Sequence, residues 1–151
     1  MRGGERLAHI KGELERILKP YVLGLQRCAM EGASYGSVHR EFDLGEASGV
    51  VRAYLYTVTH REALIVTPAL LKKFATGNGL ATKEDVLHAV KTIYGHDFEG
   101  RDDVADAFVL ARISRAHASP KILTRRCELE VLRTLATPAK SRPKPKTAKS
   151  L

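Results

Sequence analysis

Residues 63–67 read Ala63-Leu64-Ile65-Val66-Thr67 and are followed at once by Pro68. A short apolar run with β-branched centres, closed by a hydroxyl residue and a proline, has the form of a buried strand feeding a helix. Thr67 suits the N-cap and Pro68 the first helical position, where its missing N–H costs nothing. The spacing therefore predicts a strand at 63–67 and a short helix from Pro68 through Lys73. Upstream, residues 42–58 place Ala47, Val50, Val51, Tyr54, Leu55 and Val58 on one helical face. Before them, residues 21–31 (YVLGLQRCAME) are apolar and break at Gly32, which predicts a second buried strand over their last half, running into Glu31. Strand, helix, strand in that order implies a βαβ unit with parallel strands.

Further out, Leu7, Ile10, Leu14, Ile17 and Leu18 set a helix over residues 5–19, stopped by Pro20. Residues 32–40 are small and polar and read as a loop. Gly45, Gly49 and Ala53 recur every four residues along the 42–58 helix, leaving a strip where another backbone can approach. Thr76 to Ala81 is a glycine loop expected to bend, and Thr82 with Asp85 forms a capping box for a helix over 83–94. After a turn at 95–100, residues 102–117 form a helix with an apolar centre. Residues 121–136 add a helix expected to be peripheral, and 137–151 form a basic tail expected to be disordered.

That tail holds five Lys/Arg, three prolines and no acid; removing it leaves only +3 of the chain's net charge of +8. A cationic arm suits a polyanion, since each Lys or Arg near a phosphate releases a counterion; it equally suits a solubilising extension. No run of eighteen apolar residues is present, so no membrane partner is expected. The N-terminus lacks the apolar stretch of a secretory signal, and Cys28 and Cys127 match no metal spacing. A reduced, cytoplasmic chain is expected.

Three features carry potential chemistry. Glu31 closes a predicted buried strand, at the sheet edge where α/β proteins place ligands, although a strand-end glutamate can simply reach solvent. Asp102, Asp103 and Asp106 open the 102–117 helix. The helix dipole alone favours acids there, yet Asp106 lies inside Val-Ala-Asp-Ala-Phe-Val, where a carboxylate calls for a partner such as Mg²⁺. Asp103 or Asp102 can share a face with it. Lys72, Lys73 and Lys83 flank the glycine loop, whose Gly77 and Gly79 amides add donors for a phosphate backbone; ordinary solubilising lysines look the same. The six histidines show no metal-binding spacing, no nucleophile elbow appears, and acyl transfer has no support.

Taken in order, Ala29-Met30-Glu31-Gly32 with Tyr35-Gly36, Leu44-Gly45-Glu46, Gly49-Val50-Val51, Leu71 to Gly79, Ala81-Thr82-Lys83 and Asp102 to Ala107 resemble the RuvC-type Holliday junction resolvases, a branch of the RNase H-like nucleases, above all their phage and related bacterial members. The resemblance covers residues 5 to 117. It implies an α/β fold of RNase H-like type, a mixed sheet flanked by helices. It implies Glu31, Asp103 and Asp106 as catalytic carboxylates holding two Mg²⁺ ions (Mn²⁺ being an alternative) roughly 3.5–4 Å apart. Lys72, Lys73 and Lys83 would face DNA, with Tyr35 as an aromatic contact. The implied partner is branched DNA, a four-way junction cut in recombination, repair or phage DNA processing, in the cytoplasm of a bacterial or phage-infected cell. The implied assembly is a homodimer, with the Gly45/Gly49 helix as the natural contact.

The resemblance also departs. Such proteins begin with a strand patterned Gly-x-Asp-x-Gly, whose aspartate is a central metal ligand, and two more strands; here the first helix comes first. The only acids before Glu31 are Glu5, Glu13 and Glu15. Two parallel strands are then expected in place of five, in a nuclease domain over 1–118 incomplete at its N-terminus, with 119–136 as the peripheral helix. Apolar helix faces should stay exposed. The alternative function is a catalytically inactive nucleic-acid-binding remnant, and a third is an adaptor whose tail contacts an acidic protein.

Overall fold

The structure, a computed structural model, describes residues 3–32 and 41–137. Residues 33–40 and 138–151 lie outside that set, and with them Tyr35 and nearly all of the basic tail. The described chain is α/β. Helix α1 (Gly4–Leu18) and a 3₁₀ turn (Val22–Gly24) precede strand β1 (Ala29–Glu31). Helix α2 (Glu41–Thr59), strand β2 (Leu64–Val66), α3 (Pro68–Thr76), α4 (Lys83–Tyr94) and α5 (Asp102–Ala118) follow. A second 3₁₀ turn (Pro120–Ile122) leads to α6 (Arg126–Ala136).

Strands β1 and β2 pair in parallel, with Ala29 opposite Leu64, Met30 opposite Ile65 and Glu31 opposite Val66. Side chains alternate along a strand, so Glu31 and Val66 share a face. Val66 is wholly buried there, while Ile65 on the other face is 40% exposed. Local chemistry sets the helix ends where the sequence placed them. The Thr67 hydroxyl accepts the Leu70 N–H at 3.4 Å, and Thr82 and Asp85 exchange both bonds of a capping box, at 3.2 and 2.8 Å. Helix α3 runs three residues past Lys73 and stops at Gly77, whose φ of +89° suits a residue without Cβ.

The core lies between the sheet and α3–α6. Val66, Leu71, Phe74, Val86, Val90, Val109, Ile113 and Val131 are almost completely buried in one cluster. Helix α6 corrects the expectation of a peripheral element over 119–136, because Val131 and Leu132 enter this core and Glu128 is buried beside them. Tyr94 Oη donates to Glu128 Oε1 at 2.9 Å. Arg125 Nη1 donates to Tyr94 Oη at 3.0 Å and to the Ala75 carbonyl at 2.7 Å, at the end of α3. Burial and the neighbouring Glu128 carboxylate push the Tyr94 phenol up to about 12. Helix α5 is buried on one side only: Ala105, Val109, Ile113 and Ala116 face the core, whereas Ala107 and Ala111 are exposed.

Helices α1 and α2 pack on each other beside this core, tied by Arg6 to Glu46 at 3.1 Å and to Asp43 at 3.4 Å. Helix α1 buries no residue and α2 buries Leu55. The expected exposure of apolar side chains is found here: Ile17, Leu23, Phe42, Leu44 and Tyr56 are each more than half exposed. A Cβ placed at Gly45 or Gly49 would meet nothing within 4 Å, so the glycine strip has no neighbour among the described residues.

Candidate metal- and phosphate-binding site

The carboxyl ends of both strands and the first turns of α3, α4 and α5 meet at one pocket of about 260 Å³, lined by Glu31, Pro68, Leu71, Lys72, Lys83, Val86 and Asp106. Each element delivers its side chain for a local reason. Gly32 follows Glu31 at the end of β1, its N–H bonded to the Val66 carbonyl at 2.7 Å, and a Cβ there would stand 3.1 Å from the Ile65 side chain. Lys72 lies one turn beyond the Thr67 cap, and Lys83 is the first residue after the Thr82 cap. Asp106 sits one turn into α5, beside the buried Ala105. Helix N-termini carry partial positive charge, so three of them around one pocket favour anionic groups in it.

The two carboxylates are nevertheless uncomfortable. Burial raises the pKa of Glu31 above its ordinary value, the charge of Asp106 raises it further, and Lys83 and Lys72 offset part of the effect. Asp106 is likewise raised, first by burial and then by Asp102, with Lys83 and Lys72 again opposing. Asp106 is half-buried and Glu31 more exposed, and in both the charged form is disfavoured to a degree that a bound cation would offset.

Of the residues singled out in the sequence, Glu31, Asp106, Lys72 and Lys83 are brought together. Asp103 is not: it is exposed, lies outside the pocket lining, and its Oδ1 accepts the Val104 N–H at 2.9 Å. Its neighbour Asp102 instead forms an ion pair with Lys83, which raises the pKa of the lysine and lowers that of the aspartate. Lys73 turns away to pair with Glu130 of α6 at 3.0 Å. Among the described residues no group of three or more His, Cys, Asp or Glu side chains is gathered as a metal site.

The glycine loop is also less free than expected. The Gly77 amide is committed to the Lys73 carbonyl at 2.9 Å, so it is not an open phosphate donor. Thr76 Oγ1 donates to the Asn78 carbonyl and accepts the Asn78 N–H, and Asn78 Oδ1 accepts the Leu80 N–H at 3.0 Å. A Cβ at Gly79 would stand 3.2 Å from the Ala69 carbonyl, so the loop packs closely on α3. Sequence reading missed the Lys83–Asp102 pair, and nothing in the local pattern of either residue announces the other.

No family model matches the chain. The Crossover junction endodeoxyribonuclease RuvC of Chromohalobacter salexigens is 32% identical to it over 108 residues, a match that takes in 71% of this chain and 54% of that protein. The chain thus spans about half the length of the curated relative it matches. Over that stretch the chain is similar to that protein, and its own described residues form an α/β arrangement with a parallel strand pair.

Proposed function

We propose that the chain carries part of a structure-selective DNA endonuclease of the crossover-junction type, on an RNase H-like frame. The observation that carries this reading is the meeting of Glu31 and Asp106, from distant elements, in one pocket with Lys72 and Lys83. The pocket's donors fit a hard divalent cation: two carboxylate oxygen donors with raised proton affinity match Mg²⁺ or Mn²⁺, and Mg²⁺ commonly takes one or two carboxylates and completes its shell with water. When bound, such ions supply an activated water and offset charge at the leaving oxygen.

The chain's own residues do the rest. Glu31 and Asp106 hold the cation site, and the N-termini of α3 and α4 orient amide dipoles toward a phosphate. Lys72 and Lys83 draw the phosphodiester in and balance its charge. Lys83 must exchange its Asp102 partner for the phosphate. Asp103 is proposed as a further carboxylate, but its side chain lies outside the pocket and the reading does not depend on it. Lys73 and Tyr35 are proposed DNA contacts outside this pocket. Branched DNA is the proposed substrate, and a homodimer through the Gly45/Gly49 face of α2 is the proposed assembly.

A second reading, an inactive nucleic-acid-binding relative, is favoured by the lack of a gathered three-ligand group among the described residues. A labelled four-way junction incubated with the chain and Mg²⁺ or Mn²⁺ separates the two. Cutting that Asp106→Asn reduces by more than about 100-fold, beyond what loss of an outer-shell partner costs, supports the endonuclease. Junction binding with no cutting under either ion supports the second reading, and neither cutting nor binding sinks both.

A further inference from the structure

At the other end of the strands, a groove of about 490 Å³ is lined by Leu25, Gln26, Arg27, Thr59, Arg61 and Ala118. It lies where α2 and α5 both finish and where β1 has yet to begin. Arg27 precedes β1, four residues before Glu31, which at the rise of a strand is about 13 Å. His117 is eleven residues beyond Asp106 on α5, about 16 Å along the helix. The groove is therefore separate from the carboxylate pocket.

Its charge is one-sided. Arg27 and Arg61, which line it, form no ion pair among the described residues, and the nearest acid in sequence, Glu62, is engaged by Arg52 at 3.3 Å. Arg27 Nη1 lies 3.3 Å from His117 Nδ1, so this ring nitrogen accepts and the imidazole is neutral. The carbonyl ends of α2 and α5 favour cations nearby and explain some of this excess. They do not explain Arg27, which comes from the strand side.

The turn that presents Arg61 is also built at a cost. His60 has φ of +52°, a left-handed conformation that a residue with a Cβ rarely adopts. Thr59 Oγ1 stabilises the turn, donating to the Leu55 carbonyl at 2.7 Å and accepting the Arg61 N–H at 3.2 Å. We infer that this groove binds a phosphate group through Arg27 and Arg61, with His117 at its edge, either as a phosphodiester of nucleic acid or as free phosphate. Two guanidiniums on one groove suit the several oxygens of such an anion. The inference stands on its own residues, and holds whether or not the chain cuts DNA.

The test uses the full chain and the double variant Arg27→Gln/Arg61→Gln. The control, Arg16→Gln/Arg133→Gln, removes the same charge from exposed positions elsewhere. Circular dichroism verifies that all three are folded. One arm titrates inorganic phosphate by calorimetry; the other follows a labelled single-stranded DNA by anisotropy across a salt series. With nucleic acid as the source, the groove variant loses DNA affinity and its log–log salt slope flattens by about 1.4, two phosphates at roughly 0.7 each on a single strand, while the control holds the parent slope. Loss of phosphate binding with an unchanged DNA slope assigns the groove to the free anion. A groove variant that behaves as the control toward both ligands overturns the inference.

Discussion

Asp106 is flanked by alanine and valine on both sides in sequence, and the structure gives it the half-buried setting that such neighbours imply. Its pKa, like that of Glu31, stands above the ordinary value, so the folded chain holds protons there that the unfolded chain has already released. The metal-free protein should therefore lose stability as pH rises from the ordinary carboxylate range through these raised values, and recover it on acidification. Asp106→Asn removes one source of that slope. At pH 7 without metal the variant should melt higher than the parent by a few degrees, roughly the scale of a modest stability change in a chain of this size. The gap should close near pH 4, and added Mg²⁺ should raise the parent's Tm more than the variant's. Scanning calorimetry across pH checks all three, and a variant less stable than the parent at pH 7 would contradict the burial argument. That Glu31 ends a strand and that Asp106 is half-buried were legible because strand ends and apolar flanks are local features. The neighbouring pairs were not. Lys72 and Lys73, or Asp102 and Asp103, differ by about 100° around a helix, and only tertiary packing decides that Lys72 lines the pocket while Lys73 does not, and that Asp102 is the one paired with Lys83.

Among the elements, those with chemical punctuation were read closely: Thr67-Pro68, the Thr82–Asp85 box and Pro20 place helix ends within a residue or two of where they lie. Helix α6 was misread because what holds it is not in its own pattern. Its buried Glu128 depends on Tyr94 from α4 and on Arg125, whose guanidinium also caps the carbonyl end of α3. Removing the carboxylate leaves those partners unsatisfied in a low-dielectric setting. Glu128→Ala should cost about 3–5 kcal/mol, the range for breaking a buried ionic partner, and Glu128→Gln, which keeps an acceptor, only about 1–2 kcal/mol. Urea unfolding of both variants measures the difference. Equal, small losses would show α6 to be held by Val131 and Leu132 alone.

For the molecule as a whole, the net charge is divided unevenly along the sequence. The last fifteen residues carry five Lys/Arg and no acid. Deleting residues 137–151 should weaken DNA binding without changing sequence preference and should reduce the salt slope, by about 0.7 for each phosphate of the single strand these residues neutralise. An unchanged slope in the same anisotropy series would make these residues bystanders. The parallel strand pair was legible from the order of apolar runs. The side-by-side packing of α1 and α2 outside the main core was not, because periodicity marks an apolar face without saying what covers it.

Helix α5 has a consequence for how the protein would first meet a charged partner. It carries three aspartates in its first five residues and Arg115 in its last turn, all on one rigid rod. In the field of an approaching polyanion that arrangement exerts a torque, turning the arginine end forward and the aspartates back. Encounter and alignment would then come before the carboxylate pocket faces any phosphate, and the rate of productive docking would depend on reorientation as well as on diffusion.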